Sequence, residues 1–506
     1  MIRWLTNCSG LTIALFLAWK VALLVLTQQP VPANDSFFYD GPVVNYVLHG
    51  NYFNPSLANV LPISGNEVFC AYPPFYQAVL LGWMKCFGTG VITTMWFHLC
   101  LLTIFSLTVW RIFRELNLPP IATNIAGLFL FGITFHDRPD TLAHVLGALA
   151  VLAWVRKMEW PVAVFLVLTF CTSLQIGGLY ALWVTLLTFG SVWLKQIKFP
   201  LLPVLAFVGA LGGLVALVKF GNPHLWEGFR EHVKITPSVT GWRIPLISEV
   251  LKSLRAAPGI LLTLGAIILF VSREKLRERL AHSPQLFIAC CGALASLTLI
   301  AGSLFVLSPN TVHSTSYLQP VIVGCFLAVL AGGIGEWKFG KVSQAIFVAA
   351  AMLVSIRAIG MTTWGVLCAR DVNYASAIAT VNRELDSVPL SGTAFISSAY
   401  LYETATRTNI TWLHSDWPVP AERYNHGLGP LTDLKPAKII LTQFDYYRRY
   451  EGPIAQFRRT RGDVDVEITN LARVQSPDAI PVTRQIVQHI SWAPVVVTFT
   501  WPKTHE

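Results

Sequence analysis

The chain has 506 residues, of which 54% are hydrophobic and only 13% charged, a balance that excludes a string of soluble domains and places it among membrane proteins. Its 37 Lys and Arg against 27 Asp and Glu give a net charge of +10, but the cations are scattered over separate connections, so no nucleic-acid surface is expected. The nine cysteines form no CxxC pair and lie mostly in apolar stretches, which indicates neither a zinc site nor a disulfide framework.

Apolar segments long enough to cross a hydrocarbon core as helices recur to about position 360. The expected spans are 10–27, 91–113, 119–135, 140–155, 160–178, 179–194, 200–219, 257–272, 285–307, 317–334 and 342–360, about eleven in all, with a break between the fifth and sixth at Gly177-Gly178. Arg3, an apolar run and Val31-Pro32-Ala33 also fit a secretory signal, but Lys20 interrupts the run, and a retained first helix keeps the alternation of loop charge regular. Two outer loops are long, 28–90 and 220–256, and the first carries the largely apolar run Phe75–Phe87, which is suited to lie on the membrane surface.

Alternate connections hold 13 basic and five acidic residues, a net of +8 that assigns them to the cytoplasmic side. The N-terminus is then cytoplasmic and the chain from 361 to 506 extracytoplasmic. This tail has 14 basic and 14 acidic residues, and short β-like runs alternate in it with polar, helix-compatible stretches: Thr393–Ser397, then Ala399–Thr408, Ile410–His414 and Lys438–Thr442, with Val495–Thr500 as a last strand. The expected organisation is a polytopic α-helical membrane domain over 1–360 followed by a soluble α/β domain over 361–506.

Carboxylates collected at the outer rim carry the chemical signal, because a carboxylate exposed to lipid is costly and one near the membrane faces a cavity, a partner or water. Asp35 opens the first outer loop. His136-Asp137-Arg138-Pro139-Asp140 fills the short connection between the third and fourth spans. Two such carboxylates suit general-base activation of a hydroxyl or the binding of a divalent cation, with Glu67 as a further candidate ligand. The bland alternative makes Asp35 and Asp140 helix N-caps and Asp137–Arg138 a local ion pair. The outer histidines, His49, His136, His224, His232 and His313, show no ligand spacing.

From Asp35 to Gly50 the chain reads DSFFYDGPVVNYVLHG, with Tyr72-Pro73-Pro74-Phe75-Tyr76 after it. This resembles the first outer loop of the polytopic GT-C glycosyltransferases, in particular the branch of protein O-mannosyltransferases and lipid A aminoarabinose transferases. Asp35, Tyr39, Gly50 and Pro73-Pro74 fall where that branch has an acid, a Tyr, a Gly and a Lys-Pro-Pro-Leu segment. Asp140-Thr141-Leu142-Ala143 is similar to the family's acid at the start of the fourth span, and Ser316-Tyr317-Leu318-Gln319-Pro320 to its Arg-Tyr-Leu-Leu-Pro segment. Ser36, Tyr72 and Ser316 depart from the pattern, the last two replacing cations that touch the donor's phosphate.

The resemblance implies a GT-C fold and transfer of a sugar from a polyprenyl-phosphate carrier to a lipid, glycan or protein hydroxyl on the non-cytoplasmic face. Asp35 is then the base, and Asp140 positions the acceptor or shares a divalent metal with Asp35 and Glu67. Arg138, Arg243, Lys234 or His313 supplies the missing positive charge, beside Tyr72 and Tyr317. A bacterial inner membrane is the expected location. A transporter or flippase of a lipid-linked sugar is the competing reading, but it calls for ionisable residues at the bilayer midplane. Here Lys20 and Arg357 are the chief charges within spans. A membrane part that merely anchors a binding tail needs far fewer spans.

Overall fold

A computed structural model of the chain describes residues 8–27, 34–52, 54, 73–120, 123–124, 127, 138–221, 244–256, 280–306, 359–360, 374–389, 392–413, 435–446, 450–470 and 493–502. The chain forms two compact units, one made of Met1–Trp19, Cys70–Tyr76 and His98–Ile359, the other of Lys20–Phe69, Gln77–Phe97 and Gly360–Glu506. The helices of the membrane part are α1 (Leu11–Thr27), α2 (Asn34–His49), α3 (Phe75–Phe87), α4 (Val91–Glu115), α5 (Pro139–Val155), α6 (Glu159–Phe170), α7 (Leu174–Trp193), α8 (Leu201–Ala216), α9 (Ile247–Ala256) and α10 (Pro284–Val306). Among the described residues, four helices are long and apolar enough to cross a membrane: Val91–Glu115, Leu174–Trp193, Leu201–Phe220 and Pro284–Gly302. The expected spans 257–272 and 317–334, most of 119–135 and nearly all of 342–360 lie outside the described residues.

The first unit is built on α5, α6, α7 and α10, whose facing side chains form one apolar core that includes Ala143, Leu166, Leu179, Leu187 and Phe287. Small residues set how closely these helices approach. A Cβ on Gly147 would lie 2.1 Å from the Tyr180 ring, one on Gly177 2.8 Å from Phe170, and one on Gly190 2.7 Å from Phe287. Gly177 is therefore a packing position inside α7, while Gly178 beside it faces open space. The break between the two helices falls earlier, at Cys171–Ser173, because Ser173 caps α7 by accepting from the Ile176 N–H.

Three helices end at the side carrying the basic residues with the same device. Leu118, Met158 and Gln196 donate back to Phe113, Ala153 and Ser191, while Asn117, Lys157 and Lys195 donate to Arg114, Trp154 and Val192. Those three turning residues take positive φ, 52°, 59° and 57°. The paired bonds satisfy carbonyls that a helix end leaves unmatched.

In the second unit, the loop expected over 28–90 contains a four-turn helix, α2, which continues through Pro42. Pro42 and Gly41 hid it, since both read as helix breakers. A Cβ on Gly41 would lie 2.4 Å from the Asn54 side chain, so glycine is needed there for close approach. The apolar run Phe75–Phe87 is helical throughout as α3, burying Gln77, Leu80 and Met84 on one face while Lys85 and Cys86 stay exposed.

The C-terminal part of this unit adds α11 (Tyr374–Asp386), α12 (Leu401–Thr404) and α13 (Glu451–Thr460) around a five-stranded sheet. Its strands are β1 (Ala394–Ser397), β2 (Ile410–Leu413), β3 (Lys438–Thr442), β4 (Asp465–Asn470) and β5 (Pro494–Thr500), in the order β2-β1-β3-β5-β4. β1 is parallel to β2 and β3, whereas β5 runs antiparallel to β3 and β4. Apolar clusters cover both faces, Ile439, Leu441, Val495 and Val497 on one and Ile396, Ile440 and Val496 on the other. Between β1 and β2, Ser398–Tyr400 forms a 3-10 turn that runs into α12, and the two bury Tyr400, Leu401, Tyr402 and Thr404. β4 was missed because its acidic, one-sided sequence DVEITN is that of an edge strand.

Candidate active site

Each unit holds a buried polar cluster on elements that the sequence marked, and the one in the first unit is centred on Asp140. α5 starts with Arg138 as its N-cap, in extended conformation, and Pro139 follows at the first helical position. Proline fits there because its missing N–H has no intrahelical partner in any case. Asp140 comes next, in the first turn, where the partial positive charge of the helix end favours a carboxylate. It is not the N-cap, and it forms an ion pair with Arg138, whose Nε lies 3.2 Å from Oδ2. On the other oxygen, Oδ1, Asp140 accepts a hydrogen bond of 3.0 Å from the Ser173 hydroxyl. Arg138, Asp140 and Ser173 are 7%, 6% and 0% exposed.

Neighbouring groups extend this cluster. The Phe75 N–H donates to the Cys171 carbonyl at 3.0 Å, which brings the Pro73-Pro74-Phe75 segment against the α6–α7 turn that carries Ser173. One turn along α5 from Asp140, on the same face, His144 Nδ1 lies 3.3 Å from the Tyr180 hydroxyl of α7. The Tyr76 hydroxyl meets His98 Nε2 at 3.0 Å. A guanidinium fixed in this way has the planar donor set that matches a phosphate. A carboxylate already bound to a guanidinium does not suit a cation, so Asp140 does not fit a metal ligand in this arrangement. Among the described residues no three His, Cys, Asp or Glu side chains gather as a metal group.

In the second unit, Asp35 is the second residue of α2 and lies in its first turn, while Gly50 stands just past its end with φ +74°. The Gly50 N–H closes the helix onto the Tyr46 carbonyl at 3.0 Å. The fifteen-residue interval between Asp35 and Gly50 is thus the length of one helix, about 22 Å at 1.5 Å per residue. Tyr39 is buried, and its carbonyl accepts from the Gln77 amide at 3.1 Å. Gln77 is in turn hydrogen-bonded to the Tyr52 hydroxyl.

Asp40 is fully buried and accepts a 2.5 Å hydrogen bond from Tyr402 of α12. Next to Tyr402, Glu403 accepts from the Val91 N–H at 3.3 Å. Burial raises the Glu403 carboxyl above the ordinary carboxylate range. His49 Nε2 lies 3.0 Å from the Ala405 carbonyl.

Of the residues singled out from the sequence, the structure joins Arg138 to Asp140. Asp35, in the other unit, is placed by its backbone alone. Glu67, Tyr72, Asp137, His136, Lys234, Arg243, His313 and Tyr317 lie outside the described residues. Ser173, His144, Tyr180, Asp40 and Tyr402 were missed. The spacing of Asp140 and His144, four apart in an otherwise apolar helix, is a signal that could have found the second and third of these, since ionisable groups inside a span seek partners.

No protein-family profile matches the chain, and no curated protein matches it by sequence. Among solved structures, the chain is similar to ArnT from Cupriavidus metallidurans bound to undecaprenyl phosphate, with 13% identity, 97% of this chain and 98% of that one covered, and a TM-score of 0.51. It also matches the apo state of that protein at 12% identity, 96% and 97% coverage and a TM-score of 0.49. The apo oligosaccharyltransferase of Archaeoglobus fulgidus aligns at 12% identity over 85% of this chain and 69% of that one, with a TM-score of 0.42. The chain shares the fold of ArnT, which is a GT-C aminoarabinose transferase.

Proposed function

We propose that the chain is an inverting glycosyltransferase that moves a sugar from a polyprenyl-phosphate carrier to an acceptor hydroxyl on the non-cytoplasmic face of a bacterial inner membrane. The observation that carries this reading is the buried Arg138–Asp140 pair, set in a fold shared end to end with a protein bound to undecaprenyl phosphate. The helical placement of Asp35 and Gly50 at the two ends of α2 supports the carry-over of the family motif.

The chemistry assigned to these residues is a direct displacement. An acceptor hydroxyl has a pKa far above neutrality and must lose its proton as it attacks, and Asp35 takes that proton as general base. The acceptor oxygen bonds to the anomeric carbon while the carbon–oxygen bond to the carrier phosphate breaks, and the configuration inverts. The polyprenyl phosphate leaves with the additional negative charge, which the Arg138 guanidinium stabilises. Asp140 is a positioning residue that holds the guanidinium in place, with Ser173 fixing the carboxylate. Arg243, His313, Tyr72 and Tyr317 are further proposed contacts to the donor. No step here is routed through a metal.

The test is transfer from a panel of radiolabelled polyprenyl-phosphate sugars by membranes carrying the parent chain, Asp35→Asn or Arg138→Gln. Asp35→Asn is expected to abolish transfer at unchanged protein level, and Arg138→Gln to reduce it at least tenfold. Full transfer by Asp35→Asn overturns the assigned base, and no transfer by the parent from any donor overturns the reading.

A further inference from the structure

At the end of the first unit away from Asp140, a cavity of about 610 Å³ opens among the closing turns of α4, α5 and α7 and the first turns of α6, α8 and α10. Its volume is within the roughly 300–1,000 Å³ of small-ligand sites. The deep walls are apolar, with Ala163 and Leu166 from α6, Val184 from α7 and Phe207 from α8. α8 forms one wall although only 6% of its most apolar window is buried, so the cavity lies beside an exposed apolar helix. From Ala181 to Ser191 the lining follows α7 for about 15 Å, at 1.5 Å per residue.

One polar atom in the wall has no partner. Ser191 is 1% exposed and lines the cavity, yet its hydroxyl makes no hydrogen bond. Other helix hydroxyls of this unit bond back to the carbonyl four residues earlier, as Thr169 does to Phe165, Thr172 to Leu168 and Ser296 to Gly292. A buried unpaired hydroxyl costs about 1–3 kcal/mol, a cost that an acceptor entering the cavity removes. At the rim stand two opposite charges two residues apart, Lys157 and Glu159, both exposed. Neither makes an ion pair among the described residues.

We propose that this cavity holds one acyl chain of a zwitterionic glycerophospholipid, with the chain between α6, α7 and α8 and its ester carbonyl accepting from the Ser191 hydroxyl. Its phosphate meets Lys157 and its amine Glu159. The site lies at the opposite end of α5 from Arg138 and Asp140 and does not depend on the assignment of sugar transfer.

The test is native mass spectrometry of the full chain after reconstitution in mixed phosphatidylethanolamine and phosphatidylglycerol vesicles and extraction into mild detergent. The parent is expected to retain one phosphatidylethanolamine. Ala163→Trp, which fills the cavity, should lower that occupancy at least tenfold, and Ser191→Ala several-fold. Leu205→Trp, at a position of α8 that is 60% exposed, should leave it unchanged.

Equal retention by Ala163→Trp and the parent overturns the proposal, and so does equal retention of phosphatidylglycerol. Should Ala163→Trp fail to fold, a benzophenone side chain at Thr188 in the cavity wall keeps the test open. Cross-linking to phospholipid in the washed protein supports the site, and cross-linking to detergent alone overturns it. A parent that retains the lipid but transfers no sugar sinks the glycosyltransferase reading and leaves this one standing.

Discussion

Replacing Asp140 with alanine removes the carboxylate that faces the Arg138 guanidinium. Arg138 is 7% exposed and its partner 6%, so water cannot take the place of the lost carboxylate. Removing one member of a buried pair costs about 3–5 kcal/mol. For a unit of this size each kcal/mol lowers the melting temperature by about 2–4 °C, so a drop of roughly 6–20 °C is expected. The measurement is thermal unfolding of the purified protein in detergent, followed by the loss of its monodisperse peak.

Arg138→Met combined with Asp140→Leu removes both charges and should recover most of that loss, because apolar replacement of a whole buried pair is close to neutral. The double variant should nonetheless transfer no sugar, which separates the structural role of the pair from its chemical one. An Asp140→Ala protein that melts within 2 °C of the parent, or a double variant less stable than Asp140→Ala, refutes the reasoning (the threshold is about 1 kcal/mol or less).

Three further outcomes are expected. Gly147→Ala places a methyl 2.1 Å from the Tyr180 ring and should cost about 1–3 kcal/mol by overpacking. Gly178→Ala meets nothing within 4 Å and should be neutral or stabilising by up to about 1 kcal/mol, since alanine is the better helix former; the two melting curves decide it. Tyr402→Phe removes the hydroxyl bonded to the fully buried Asp40 and should destabilise the second unit by about 1.5–3 kcal/mol, read as earlier proteolysis of the 360–506 segment.

Glu403 makes stability depend on pH. Its carboxyl is raised above the usual 4.5 by burial, so the folded state binds the proton more tightly than the unfolded one. The stabilisation is complete below 4.5 and is lost as pH rises through the folded value. Melting of the second unit should therefore fall with pH across that interval. Glu403→Gln, which keeps an acceptor for the Val91 N–H, should flatten the dependence, and an unaltered slope contradicts the assignment.

The sequence by itself determined the class of the chain and much of its helical frame. An apolar run long enough to span a membrane has few alternatives, because the backbone must satisfy its own hydrogen bonds in lipid. Val91–Glu115, Pro139–Val155 and Pro284–Val306 accordingly fall close to where hydropathy placed them, and the apolar run Phe75–Phe87 is a helix of the same bounds. β1, β2, β3 and β5 were legible for a related reason, since their short β-branched and aromatic runs are bounded by turn residues. Asp140 was legible as a carboxylate at the start of an apolar helix, and Asp35 and Gly50 through the family pattern.

What only the tertiary structure decided is set by contacts between distant segments. Whether Gly177-Gly178 breaks a helix or packs one depends on Phe170, which lies beside Gly177. That Arg138 turns to Asp140 depends on Ser173, 33 residues on, which holds the carboxylate by its other oxygen. Asp40 reads as an ordinary loop acid until Tyr402 reaches it across 362 positions, and Ser191 reads as an ordinary helix hydroxyl until the gap beside it is seen. Local periodicity records which face of an element is apolar, whereas the partner of a buried polar group is fixed by packing alone.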